Sequence, residues 1–171
     1  DGDVIEGAET FSQAIANIRS AGHLADELTS TVVLSDMWVS AGRPSEARRL
    51  LQGALEHARI SAPTATRGIA DLHVALSEVE FEAGDLESAR QHLMLATAMD
   101  ERLAMGENRF RLFVAMAKVA AVEGDMHGAF GHLDRAEQVY QPGFMPQLRP
   151  VPATRARMSI AQGELGDAEA F

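Results

Sequence analysis

Asp125, His127 and His132 fall within the stretch EGDMHGAFGHL at 123–133, a run of ligand-type side chains loosened by glycines. Imidazole and carboxylate are the groups that hold zinc. Two histidines on one helix chelate a metal best four residues apart, whereas these stand five apart, about 140° around the helix axis. Asp125 recurs as Asp3 and Asp85, and His132 recurs as His92, always at the same place beside a glycine. The stretch therefore reads as a repeated structural element, with no metal ligands. His73 falls on an apolar helix face and reads as a hydrogen-bonded core histidine. Trp38, Phe81 and most of the eight methionines read as packing residues. Glu78, Glu80 and Glu82 read as a solvated helix face, because carboxylates alone do not specify acid–base chemistry. No nucleophile elbow and no phosphate-cradling loop of the form G-x-x-x-x-G-K-[ST] occurs in the sequence. The expectation is a chain without catalytic activity, catalytic residues, metal or cofactor of its own.

These residues belong to a chain of 171 residues, long enough for one ordinary domain. It is 46% hydrophobic but only 5% aromatic, which suits helices packed through alanine and leucine. The net charge of −10 argues against nucleic-acid binding by this segment. Cysteine is absent, which removes disulfides and thiolate sites and fits a reducing, cytoplasmic compartment. No apolar run approaches the roughly 20 residues needed to span a bilayer.

The glycines set the organisation. AGRPSEA at 41–47, AGDLESA at 83–89, EGDMHGA at 123–129 and QGELGDA at 162–168 align, and DGDVIEG opens the chain as a fainter copy. The anchors are Gly2, Gly42, Gly84, Gly124 and Gly163, a period of about 40 residues and so in the range of helical solenoids. Five residues after the glycine stands a small residue: Gly7, Ala47, Ala89, Ala129, Ala168. Nine after it is large and apolar (Phe11, Leu51, Leu93, Leu133), and twelve after it is alanine (Ala14, Ala54, Ala96, Ala136). Steps of four and three keep these positions on one helical stripe, where small side chains admit a neighbouring helix. The glycine supplies a left-handed cap, an aspartate starts the next helix, and Pro44 suits a first turn.

Each unit is thus an A helix, a glycine turn and a B helix. The spans expected are 3–20, 24–41, 44–60, 66–83, 86–101, 106–123, 126–140, 150–162 and 165 onward, about nine helices in antiparallel A/B pairs. The architecture expected is an all-α right-handed superhelix over residues 1–171, a single repeat domain. Because the first unit lacks its A helix and the last stops inside a B helix, the chain reads as a fragment of a longer array. Each end is then expected to expose an apolar face.

The glycine with its small, large and alanine positions resembles the second half of the tetratricopeptide repeat. Ser35, Ser77, Ala117 and Ala156 occupy the small position of the A helix, preceded by Leu34, Leu76 and Met116, whereas Arg155 departs from the pattern. Over nearly its whole length, through GDVIEGAETFSQAIANIRSAGHLADEL, IADLHVALSEVEFEAGDLESARQHL, ENRFRLFVAMAKVAAVEGDMHGAFGHLDRAEQVY and FMPQLRPVPATRARMSIAQGEL, the chain looks like the superhelical region of MalT-like, LuxR-type bacterial transcriptional regulators. That resemblance implies an upstream ATPase, a downstream helix-turn-helix, and repeats that sense an inducer or regulatory protein and control ATP-dependent self-association. It also implies that ATP is bound outside these residues. The same module occurs with other effectors, a kinase among them, which leaves a protein-binding scaffold as the alternative.

In tetratricopeptide arrays the A helices line a concave groove. Six residues before each glycine stand Asp36, Glu78, Lys118 and Arg157; Val32, Val74, Val114, Asp71 and Arg111 lie nearby, with Asn108 and Arg149 at the approach to the basic, C-terminal end. Asp36, Asp71, Glu78, Asn108, Arg111, Lys118, Arg149 and Arg157 are therefore the candidate groove residues for a small molecule or partner. The three cations Arg111, Lys118 and Arg157 favour an anionic or polyhydroxyl ligand. The competing reading of the same charges is solvation and pairing across adjacent helices.

Overall fold

A computed structural model describes residues 4–61, 68–99, 106–140 and 150–163, with side chains of the third stretch from residue 108. Among the described residues there are eight helices and no strand: α1 (Val4–Ser20), α2 (Leu24–Ser40), α3 (Pro44–Ser61), α4 (Ile69–Glu82), α5 (Leu86–Ala98), α6 (Gly106–Val122), α7 (Met126–Val139) and α8 (Val151–Gln162). The ninth helix expected from 165, with its Ala168, and the linker at 141–149 lie outside the described residues. The helices group into two compact units, residues 1–103 and 104–171.

In the first unit α2 pairs with α3, α4 with α5, and α1 lies on α2. Its main core joins Leu28 and Val32 of α2, Ala47, Leu51, Ala54 and Ala58 of α3, and Leu72, Ala75, Leu76 and Val79 of α4. In the second unit α7 pairs with α6 and α8 packs beside it, with Phe113, Val114, Ala117, Ala129, Leu133, Ala136 and Met158 in one core. The repeat positions five, nine and twelve after Gly42, Gly84 and Gly124 are buried in all three cases. Alanine at two of the three positions brings the helix axes close, and leucine fills the space that remains.

The first repeat departs from this scheme. Ala14, expected on the buried stripe, is exposed, and Gly7 and Phe11 are only half-buried. Ala8 and Ile15 are buried in their place, packed with Leu34 of α2. The face of α1 that α2 covers is turned by one residue from the stripe used in the later repeats.

Gly42, Gly84 and Gly124 adopt φ of 72°, 82° and 87°, the left-handed region in which a side chain is strained. The residue after each closes a six-residue turn, as Arg43 N–H donates to Trp38 O at 2.8 Å and Asp85 N–H to Glu80 O at 3.0 Å. Gly22, which the 40-residue period passes over, makes the same turn at φ 79°, with His23 N–H donating to Ile18 O. Asp85 and Asp125 cap their helices by accepting the backbone N–H of Ser88 and Gly128. Asp3 lies outside the described residues. Gly68, also left-handed at φ 89°, starts α4 three residues later than expected, and a Cβ there would stand 2.9 Å from Leu28 Cβ.

Candidate functional site

The expected groove residues separate by depth. Asp36 on α2 and Glu78 on α4 are half-buried, as are Asn108 and Lys118 on α6, and Arg157 on α8 is exposed. Asp71 and Arg111 are instead buried, 8% and 7% exposed. Val32, Val74 and Val114, expected to line the groove, are buried as well, and Val32 and Val114 belong to the two cores. Arg149 lies outside the described residues. Within the first unit the register six before the glycine is acidic, and within the second it is basic. Of the expected charged positions, Asp36 and Glu78 in the first unit and Lys118 and Arg157 in the second keep solvent access.

Several polar residues do their work between helices. Glu27 lies on the inner face of α2 with its side chain 1% exposed. Its Oε1 accepts from Arg19 of α1 at 2.8 Å and from Nδ1 of His57 of α3 at 3.0 Å, so one carboxylate ties three helices. Glu80 of α4, expected on a solvated face, is buried and forms an ion pair with Arg48 of α3. A buried carboxylate is costly unless a cation or hydrogen bonds stand beside it: Glu80 has Arg48, and Glu27 has Arg19 and His57 at Oε1, while no described residue bonds its buried Oε2.

Arg155, the residue that breaks the A-helix pattern, has its explanation in the second unit. Its guanidinium reaches Asp134 and Glu137 of α7 and stands 5.9 Å from the Phe130 ring centroid. The small residues it interrupts behave as packing demands. Ser35 and Ser77 are buried, and each hydroxyl donates to a carbonyl of its own helix, on Val32 at 2.7 Å and Val74 at 2.6 Å. In sequence the signal for Glu27 and Arg155 was a charged residue inside an apolar stripe. Nothing in that signal says which distant side chain answers it.

His73 of α4 and His92 of α5 meet with their Nδ1 atoms 2.9 Å apart and ring centroids 5.1 Å apart. One ring must donate and the other accept, so the pair is not stable with both rings protonated. Burial, followed by the neighbouring His92, pushes His73 down to about 4. Burial also lowers His92, against the pull of Glu80. His132 is lowered by burial and then by Arg135, whose guanidinium stands 4.1 Å from the Phe113 ring centroid. His127 is exposed, so Asp125, His127 and His132 do not converge, and Asp125 serves as a cap. Among the described residues no group of three or more histidine or carboxylate side chains could hold a metal ion, and no helix is long and apolar enough to cross a membrane.

Comparison with known proteins agrees with the helical-repeat reading. A family model for the MalT-like TPR region matches residues 1–171, the whole chain. Among solved structures the chain is similar to BtubC (BKLC) from P. vanneervenii, whose crystal structure superposes with a TM-score of 0.71. That likeness covers 99% of this chain and 71% of the other at 14% identity, and so shows the fold alone. No curated protein matches the sequence.

Proposed function

Given that this chain belongs to the MalT-like TPR region family, we propose that it is the non-catalytic sensor segment of a LuxR-type bacterial transcriptional regulator. In this reading residues 1–171 serve as one stretch of repeats in the cytoplasm, and ATP and DNA are bound by other domains of the full-length protein. An inducer or regulatory protein binds the repeats. It shifts an inactive–active equilibrium because its affinity for the two states differs, and self-association of the full-length protein follows from that shift. The observation that carries the proposal is the family match over the entire chain.

The proposed contact residues are the polar positions of the A helices: Asp36, Asp71 and Glu78 in the first unit, and Asn108, Arg111, Lys118 and Arg157 in the second, with Arg149. Lys118 and Arg157 retain solvent access and supply the charge for an anionic or polyhydroxyl ligand. The test is a transcription reporter driven by the full-length protein. Lys118→Glu and Arg157→Glu are each expected to abolish the inducer response while far-UV circular dichroism stays at the wild-type level. A wild-type response from both variants overturns the assignment.

A further inference from the structure

His73 of α4 and His92 of α5 oppose each other at a place that the fold closes differently in its other repeats. They stand eleven residues before and eight residues after Gly84. The same register holds Thr31 and Leu50 around Gly42, and Phe113 and His132 around Gly124. Packing of an A helix on its B helix therefore does not require two imidazoles. The Nδ1 atoms are 2.9 Å apart and the ring centroids 5.1 Å apart. That centroid separation is close to the greatest that two imidazoles reach at this nitrogen distance. Each Nδ1 thus points at the other along one line, and the two do not converge on a third point. Burial lowers both rings, which keeps them in the neutral form that a metal ion takes as a ligand. Both are half-buried, so solvent reaches an edge of each ring.

We propose that His73 and His92 form a two-coordinate site for a soft monovalent cation, copper(I) or silver(I), held in line between their Nδ1 atoms. The geometry selects the ion. Zinc takes three or four protein ligands in a tetrahedral set, and no group of three or more histidine or carboxylate side chains stands together among the described residues. Copper(I) and silver(I) accept two nitrogen donors in a straight line, the arrangement these rings present. Metal–nitrogen bonds of about 2 Å, as for imidazole on zinc, set the two nitrogens about 4 Å apart. The rings must separate by about 1 Å, which small side-chain rotations of two half-buried residues supply. Charge also points to a single positive ion. Glu80 favours positive charge at His92, but Arg48 pairs with Glu80, so little negative field remains to offset a second positive charge. No proton is released overall. The ring that donates at Nδ1 passes its proton through water to its own Nε2, and the cation takes both Nδ1 lone pairs. Two coordinate bonds then join α4 to α5 where one hydrogen bond stood. The inference is independent of the inducer reading, because it uses one helix pair and none of the groove positions.

The probe is silver(I) nitrate, titrated in chloride-free buffer into the isotopically labelled 171-residue chain and read from the imidazole nitrogen resonances. One equivalent is expected to shift the Nδ1 resonances of His73 and His92 together and to raise the thermal midpoint. His73→Phe and His92→Leu place at each position the residue that another repeat uses there, Phe113 and Leu50, so helix packing is kept. Each is expected to weaken silver(I) binding about a hundredfold or more, because a second ligand held in the same structure adds about that factor. Copper(I), measured by competition with a chromogenic chelator, is expected to show the same loss. His132→Gln removes the imidazole at the same register around Gly124, where Phe113 stands in place of a facing histidine, and is expected to leave the affinity unchanged. Unmoved Nδ1 resonances in the wild-type chain overturn the proposal. Affinity that survives both His73→Phe and His92→Leu also overturns it and assigns the cation to methionine thioethers. Tighter binding of zinc than of silver(I) overturns the two-coordinate geometry and the proposal with it.

Discussion

Acidification should loosen the packing of α4 on α5 through His73. The folded chain holds this imidazole down to about 4, against an ordinary value of 6.5, first because it is buried and then because His92 faces it. A depressed histidine is neutral when folded and takes up its proton more readily when unfolded. Its contribution is therefore complete above about pH 6.5 and is lost as the pH falls toward 4, with no further loss below. Between about pH 7.5 and pH 5 the two affinities give a loss of about 2 kcal/mol, and water reaching the half-buried rings reduces it to about 1 kcal/mol. Urea unfolding followed by circular dichroism at the two pH values measures the loss from the shift in midpoint. His73→Gln, which keeps a hydrogen-bonding side chain but does not titrate, should remove about 1 kcal/mol of that pH dependence while the carboxylates contribute equally to both proteins. An identical midpoint shift in the variant and the wild type refutes the reasoning.

Substitutions at three further positions address the helices and their contacts. Gly68→Ala forces a side chain into the left-handed region and against Leu28, and is expected to cost about 1–3 kcal/mol, read as a lowered thermal midpoint. Gly53→Ala, where nothing lies within 4 Å and the backbone is helical, should be neutral or slightly stabilising by the same measurement. Arg19→Ala leaves the buried Glu27 carboxylate with His57 Nδ1 as its remaining hydrogen-bond partner. The expected loss is about 1–3 kcal/mol, below that for a fully buried pair because Arg19 keeps half its surface in water. Arg19→Lys should recover part of it, and equal stability of the alanine variant in urea unfolding would show that Glu27 is held by His57 alone.

The fold was readable because its determinants are local. A left-handed glycine, an aspartate three residues before a free backbone N–H, and small residues at helical spacing act within a few residues of themselves, so Gly84, Asp85, Ala89 and Ala96 could be placed without knowing their neighbours. The same local reasoning failed at α1. There the stripe has the right residue types at Gly7, Phe11 and Ala14, but Ala8 and Ile15 take the buried positions, because burial depends on what packs alongside. It failed again at Glu80, grouped with Glu78 and Glu82 by composition, and separated from them by Arg48 on another helix.

Periodicity and turn chemistry in the sequence determined where the helices run, where they turn and which stripe of alanines and leucines joins them. Packing decided which charged groups meet. Glu27 finds Arg19 and His57, Arg155 finds Asp134 and Glu137, and His73 finds His92 across helix pairs whose relative rotation no single stretch specifies. Packing also left Val33 49% exposed where its counterpart Ala75 is 1% exposed. A side chain's type travels with its sequence, but its burial belongs to the helix that covers it.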